Sequence, residues 1–145
     1  MLGNSYRVPC EPVAPGAAVA DDNLCIIESM PVKSLITFPE SGINLKAGTR
    51  LKLRGHAWAG DLKVRAMHTS LDFGATWQRA ELAAPVNRLA WQQWQAVTEF
   101  AGPGYYEIWA RATDELHRSQ PMLVPGWNPK GYLNNACHRV AVQVV

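Results

Sequence analysis

Short runs of alternating apolar and polar residues, separated by glycine- and proline-rich turns, constrain the fold of this 145-residue chain most strongly. Successive side chains of a β-strand point to opposite faces, so a period of two predicts strands with one buried face. In the last run, Val140, Val142 and Val144 share a face. Runs of this kind cover residues 32–38, 49–58, 62–71, 94–100, 105–112 and 138–145.

Helical signals are weak by comparison. The best helical candidate is 78–84, and Pro85 would stop it after two turns at most. Six or seven short strands with little helix predict an antiparallel sandwich or barrel, and an immunoglobulin-like β-sandwich is the simplest fit. Tyr105 and Tyr106 follow a Gly-Pro-Gly turn, which predicts a tyrosine hydroxyl bonded to the backbone at a strand corner.

Residues 1–30 differ from the rest because they are rich in proline and small residues and have no apolar periodicity. We expect an extended N-terminal tether at 1–30 and a folded domain at 31–145. Cys10, Cys25 and Cys137 form neither a CxxC pair nor a zinc spacing, so we expect no disulfide framework and no structural metal. Cys137 is expected to be a small buried thiol.

Composition excludes several functional classes. Fourteen basic residues against 12 acidic ones give a net charge of +2, too little for a nucleic-acid-binding domain. The apolar runs are far shorter than the roughly 20 residues of a membrane-spanning helix. We find no catalytic Ser or Cys motif and no phosphate-binding glycine loop. The carboxylates form no acid–base motif, so we expect no catalytic and no metal-ligating residue in this chain.

Residues 70–77 fit the pattern S-x-D-x-G-x-T-W, which predicts a structural hairpin turn. Asp72 can accept backbone N–H bonds, Gly74 allows a positive φ, and Trp77 packs as the next strand begins. The pattern repeats once per blade in sialidase-like propellers, but it occurs once here and the chain is too short for several blades. The residues of the pattern are Ser70, Asp72, Gly74, Thr76 and Trp77.

The loop at 126–139 is the best candidate for function, because residues 116–145 contain three Lys or Arg residues and no Asp or Glu. A cationic, asparagine-rich loop on a rigid sandwich suits contact with an oxyanion or a negatively charged neighbour. The alternative interpretation is a solvated turn that rigidifies the last strand. The polar and aromatic residues of this loop are Trp127, Asn128, Lys130, Asn134, Asn135, His138 and Arg139.

Three segments carry a family resemblance, in this order: GHAWAGDL, SLDFGATW and WNPKGYLNNACHRV. Together they are similar to the C-terminal dimerisation domain of the sulfite oxidase family of molybdenum oxidoreductases, in its sulfite or sulfane dehydrogenase-like bacterial branch. The resemblance runs from about Pro31 to Val145. It implies an immunoglobulin-like homodimerisation domain, with residues 1–30 as the connector from a preceding molybdopterin domain.

The resemblance also implies a division of labour. The preceding domain holds the molybdenum through its own cysteine, so this chain is expected to carry no cofactor and to be inactive alone. Lys130 stands where the family places an arginine at the anionic substrate pocket. A lysine keeps the positive charge but lacks the planar guanidinium group that binds an oxyanion through two parallel hydrogen bonds. The substrate would be sulfite or a related sulfur oxyanion, the electron acceptor a cytochrome, and the compartment the periplasm.

A second hypothesis remains open from the residues alone. The chain fits a free-standing immunoglobulin-like module that binds carbohydrate or protein. Such a module would need an exposed aromatic platform, for which Trp91 and Trp94 are the candidates, although buried packing is favoured for both.

Overall fold

A computed structural model describes residues 5–124 and 126–145 of the chain, and it is built almost entirely from strands. A short 3-10 helix at Asp21–Asn23 is the helical element among the described residues. The strands are β1 Arg7–Pro9, β2 Leu24–Ile26, β3 Lys33–Phe38, β4 Ile43–Leu45, β5 Leu51–Trp58, β6 Val64–Ser70, β7 Gln78–Leu82, β8 Gln92–Thr98, β9 Gly104–Asp114 and β10 His138–Val144.

Eight strands form one curled sheet in the order β3-β5-β8-β7-β6-β9-β10-β4. Strand β7 changes partner along its length, since residues 78–80 pair with β6 and residues 81–82 pair with β8, and the sheet folds over on itself at this strand. The two halves, β3-β5-β8 and β6-β9-β10-β4, enclose the core as an immunoglobulin-like sandwich, as the sequence predicts. The sandwich is not purely antiparallel, since β4 runs parallel to β10.

The core follows from the predicted alternation. Along β5 the odd-numbered residues point inward, and Leu53 is fully buried while Lys52 and Arg54 are exposed. Gly55 lies opposite Trp94 of β8, and a Cβ at this glycine would collide with the indole ring and with the Leu35 carbonyl. A glycine here therefore leaves the space that the buried Trp94 fills.

The helix predicted at 78–84 is wrong, because this segment contains strand β7. Gln78–Leu82 bonds to neighbours on both sides, with Ala80 opposite Met67 and Leu82 opposite Trp94. Pairing of this kind is tertiary and outweighs a weak local helix propensity.

We expect no disulfide framework from the cysteine pattern, and this pattern does not predict the one disulfide that the described residues contain. Cys10 and Cys25 are joined by a bond of 2.08 Å between their sulfur atoms, with their Cα atoms 5.2 Å apart. Strands β1 and β2 pair antiparallel and bring the two cysteines together across 15 positions of sequence. Spacing rules for cysteines do not register such a pairing. Cys137 is a buried free thiol, as predicted.

Two further sequence expectations concern single residues. The Tyr106 hydroxyl donates to the carbonyl oxygen of Gly102 at 3.0 Å, so the predicted tyrosine–backbone bond at the strand corner is present. Within the described residues, no helix is both long and apolar enough to cross a lipid bilayer.

Candidate functional site

The candidate loop is the connection between β9 and β10, which leaves the sandwich at Asp114 and returns at His138. The Asp114 carboxylate is buried and shapes the start of this connection. It accepts the backbone N–H groups of Leu116 and Arg118, each at 2.9 Å, and the Arg118 Nε–H at 2.8 Å. With three donors bound, the Asp114 carboxylate fixes the turn that directly follows β9.

Gln120 fastens both arms of the loop to the sandwich. Its side chain is 2% exposed, and its Oε1 accepts the Ser34 hydroxyl of β3 at 2.6 Å and the Ala112 N–H of β9 at 2.8 Å. Its Nε2 donates to the carbonyl oxygens of Asn135 at 3.0 Å and Ala136 at 3.2 Å. The four hydrogen bonds use the full capacity of one buried amide and join three segments, namely β3, β9 and residues 135–136.

Lys130 lies in a tight turn that Asn128 closes. The Asn128 Oδ1 accepts the backbone N–H groups of Lys130 at 3.2 Å and Tyr132 at 3.1 Å, and its Nδ2 donates to the Tyr132 carbonyl at 3.0 Å. Gly131 has φ +64°, a conformation that glycine adopts without steric cost. The turn therefore presents Lys130 at an exposed position.

The returning arm is tied to β3 by three of the predicted loop residues. The Asn134 carbonyl accepts the Lys33 ammonium group, and the Asn135 Nδ2 donates to the Val32 carbonyl at 3.3 Å. His138 Nδ1 accepts the Ile36 N–H at 3.1 Å. Burial lowers the pKa of His138, and the nearby charge of Lys33 lowers it further, so the imidazole is held as a neutral acceptor.

Arg139 packs against an aromatic ring. Its guanidinium carbon lies 3.9 Å from the centroid of the Trp109 ring, and its Nη2 donates to the Met122 carbonyl at 2.9 Å. The attraction of a cation to an indole face holds the guanidinium group against β9, and the hydrogen bond to Met122 ties the outgoing arm to it.

The N-terminal segment lies along the loop, a contact that the sequence did not predict. Val13 forms an isolated antiparallel bridge with Trp127. The Tyr6 ring stacks on Tyr132 with centroids 5.7 Å apart and an interplanar angle of 18°. The two contacts therefore bracket the turn that carries Lys130. Residues 1–4 of the predicted connector lie outside the described residues.

The S-x-D-x-G-x-T-W segment forms a self-contained turn between β6 and β7. The Ser70 hydroxyl donates to Asp72 Oδ1 at 2.7 Å, and Thr76 donates its backbone N–H at 2.9 Å and its hydroxyl at 2.6 Å to the same carboxylate. These bonds, with the Ser70 bond the strongest cause, lower the pKa of Asp72 to about 2. Gly74 has φ +86°, and its carbonyl accepts the Trp77 indole N–H at 3.0 Å.

The two tryptophans proposed as an aromatic platform do not share a face. Trp94 is 2% exposed and lies in the core, as favoured from the sequence, whereas Trp91 is 61% exposed and packs parallel to His56 with ring centroids 4.7 Å apart. The preference for buried packing is therefore wrong for Trp91. One exposed indole is no extended platform for a sugar.

The sulfur atoms of this chain do not fit the role of a molybdenum ligand. Cys10 and Cys25 are joined to each other, and burial raises the pKa of the Cys137 thiol, so the thiolate that a metal needs is disfavoured there. The described residues also contain no group of three or more His, Cys, Asp or Glu side chains arranged to hold a metal ion.

Comparison with known proteins now identifies the family. A family model described as the Mo-co oxidoreductase dimerisation domain matches residues 25–145. This chain belongs to that family. Mitochondrial sulfite oxidase from Rattus norvegicus is 38% identical to it over 126 residues, which make up 82% of this chain and 23% of that protein. The sulfite oxidase family indicated by the sequence motifs is therefore confirmed.

Two other similar proteins are also much longer than this chain. An NAD(P)H nitrate reductase from Hordeum vulgare is 31% identical over 133 residues, or 83% of this chain and 15% of that protein. The sulfane dehydrogenase SoxCD from Paracoccus pantotrophus superposes with a TM-score of 0.70 at 23% identity, over 97% of this chain and 35% of that chain. This chain thus spans about a quarter or less of the curated relatives described here.

Proposed function

We propose that this chain is the homodimerisation module of a molybdopterin-dependent oxidoreductase that acts on sulfite or a related sulfur oxyanion. Its 126–139 loop would add positive charge to the substrate pocket of a neighbouring molybdopterin domain. The observation that carries the proposal is the turn closed by Asn128, which presents Lys130 at an exposed position of a segment without acidic residues.

The chemistry of this turn suits an oxyanion. The backbone N–H groups of Lys130 and Tyr132 donate to Asn128, so the contribution of this turn to a bound anion would come from the charge of the Lys130 ammonium group. Residues 116–145 contain no Asp or Glu side chain. A preplaced cation favours a bound anion most when a neighbouring domain excludes water.

Replacing Lys130 in the full-length, cofactor-loaded protein tests this role. With sulfite as the probe, we expect Lys130→Ala to lower kcat/KM about 10- to 100-fold, the range for loss of one charged hydrogen bond. Lys130→Arg should retain most of the activity. Lys52→Ala, which removes an exposed lysine from β5, is the matched control. Equal kcat/KM values for the Lys130→Ala and Lys52→Ala proteins would contradict a role of Lys130 in the substrate pocket.

The homodimer is a separate part of the proposal. Symmetric pairs form through one self-complementary surface, and a permanent interface of this kind buries on the order of 2,000 Å² or more. Sedimentation equilibrium of the full-length protein should give twice the monomer mass at tens of micromolar. A monomer under those conditions would contradict the homodimer.

The remaining partners follow from the same proposal. The molybdopterin would be held by a preceding domain, reached through residues 1–30, and a cytochrome would accept the electrons. A periplasmic location agrees with the Cys10–Cys25 disulfide, since such bonds persist in oxidising compartments. Fractionation of the native cells tests the location, and recovery of the protein with the cytoplasmic fraction would contradict it.

A further inference from the structure

We propose that the N-terminal hairpin closed by the Cys10–Cys25 disulfide is a positioning element for the loop that carries Lys130. The inference rests on the proposed role of Lys130 and deepens it, because it assigns a task to residues outside the predicted site. The residues that act are Tyr6 and Val13, which contact the loop, and the two cysteines, which hold the hairpin together.

The hairpin is small and needs its cross-link. Strands β1 and β2 pair over three residues each, with Val8 opposite Cys25. Cys10 donates its N–H to the Asn23 carbonyl at 2.9 Å, and Glu11 donates its N–H to Asn23 Oδ1 at 2.8 Å. A two-stranded hairpin of this size is at best marginal in water. The disulfide shrinks the set of open conformations and thereby favours the paired form.

The contacts of the hairpin lie on both sides of Lys130. Val13 bridges Trp127, three residues before the lysine, and Tyr6 stacks on Tyr132, two residues after it. Tyr6 is also anchored to the far strand, since its carbonyl accepts the Ile27 N–H at 2.9 Å. A turn fixed at both flanks holds the backbone of its central residue in a narrow range of positions, and this determines where the Lys130 side chain leaves the domain.

The internal bonds of the turn fix its shape but not its place on the domain. Asn128 bonds only within 128–132 in the contacts described above, and Gln120 acts farther along, at Asn135 and Ala136. The hairpin restrains the turn at its two ends, through Trp127 and Tyr132. Displacement of a binding group by about 1 Å is enough to weaken its effect on a bound substrate.

Hydrogen exchange of the full-length protein tests the restraint without any substrate. In a Cys10→Ser/Cys25→Ser double variant, we expect the amides of 127–133 to exchange about tenfold faster, with β9 and β10 unchanged. Cys137→Ala removes a thiol outside the hairpin and should leave exchange at 127–133 as in the parent. Unchanged exchange in the double variant would overturn the positioning role, whatever Lys130 does.

Steady-state kinetics with sulfite test the consequence for binding. Tyr6→Ala should raise KM several-fold with kcat nearly unchanged, and Tyr6→Phe, which keeps the stack on Tyr132, should restore the parent value. Tyr105→Ala is the matched control, because Tyr105 is 55% exposed against 56% for Tyr6 and bonds to Glu107 of its own strand. A Tyr6→Ala protein with the parent KM would overturn the proposal.

A double-mutant cycle separates this inference from the role of Lys130. If the hairpin acts through Lys130, Tyr6→Ala should have little further effect on KM in a Lys130→Ala background. Equal effects of Tyr6→Ala in both backgrounds would overturn positioning of Lys130. If Lys130→Ala alone has no effect, the proposed function of the loop fails, while the exchange experiment still decides whether the hairpin restrains 127–133.

Discussion

The two principal connections of this domain are held in opposite ways. The β6–β7 turn bonds to itself, and the hydrogen bonds among Ser70, Asp72 and Thr76 span at most four positions of sequence. The β9–β10 connection is held from outside, by Gln120 reaching Ser34 across 86 positions and by Asn135 reaching Val32 across 103. The first needs only its own sequence, whereas the second needs the folded sandwich.

This difference bears on what each connection can do. A self-bonded turn keeps its shape in any context and serves as a rigid corner. A loop held by distant segments can present charge where another domain meets the sandwich, and its shape depends on those segments. The five predictions below test that contrast, from the largest effect to the smallest.

Gln120→Leu should have the largest effect because it removes one partner from four hydrogen bonds of a buried amide. We expect the free energy of unfolding, measured by urea denaturation, to fall by about 3 kcal/mol. Gln93→Leu, on the exposed face of β8, is the control. A loss of less than about 1 kcal/mol would mean that the loop does not depend on this residue.

Asn128→Ala should open the Lys130 turn while sparing the sandwich. Three local hydrogen bonds are lost at a half-buried site, so we expect a decrease of about 1 kcal/mol in the free energy of unfolding. Hydrogen exchange should quicken at 130–132 and stay unchanged at 70–77. Asn44→Ala, at an exposed position of β4, provides the comparison. Equal exchange in the two variants would contradict the proposed turn.

Asp72→Asn tests the self-contained turn through its pH dependence. The pKa of Asp72 is about 2 in the folded protein against an ordinary value of 3.8. Its stabilising contribution is therefore complete above pH 3.8 and is lost as the pH falls towards 2. The free energy of unfolding should therefore change less between these two pH values in Asp72→Asn than in the parent protein.

Thr76→Val supplies a graded version of the same experiment. It removes one hydroxyl donor to Asp72 and keeps the side-chain shape. The pKa of Asp72, followed by NMR titration, should rise towards its ordinary value. An unchanged pKa would show that the bonds of the turn do not stabilise the ionised carboxylate.

His138→Asn should have the smallest effect. Burial lowers the pKa of His138 below 6.5, so the unfolded chain takes up the proton first and folding is weakened as the pH falls below 6.5. Asparagine can accept the Ile36 N–H without titrating. Between about pH 7 and pH 5.5, the free energy of unfolding should therefore decrease less in the variant than in the parent protein. The remainder is assigned to His68, whose pKa burial also lowers.

Sequence reasoning succeeded where bonds are local or periodic. The strands around Leu53, Ile108 and Val142 were readable from their alternation, and residues 70–77 from their turn chemistry. Tyr106 was readable because its partner, Gly102, is four positions away. In each case the residues that interact lie within one strand or one turn.

The failures concern contacts that exist only after folding. Nothing near Gln120 in sequence marks it as the anchor of the loop, since its partners come from β3, β9 and residues 135–136. Strand β7 depends on neighbours on both sides. The Cys10–Cys25 bond depends on a hairpin within a segment that has no apolar periodicity.

A crystal structure of the full-length, cofactor-loaded protein with bound sulfate tests most directly whether this loop supplies charge to an anion pocket. We predict that the Lys130 Nζ lies about 3 Å from a sulfate oxygen in the molybdopterin-domain pocket, with the turn held between Tyr6 and Val13. A sulfate bound in that pocket with Lys130 turned into bulk solvent would contradict the account.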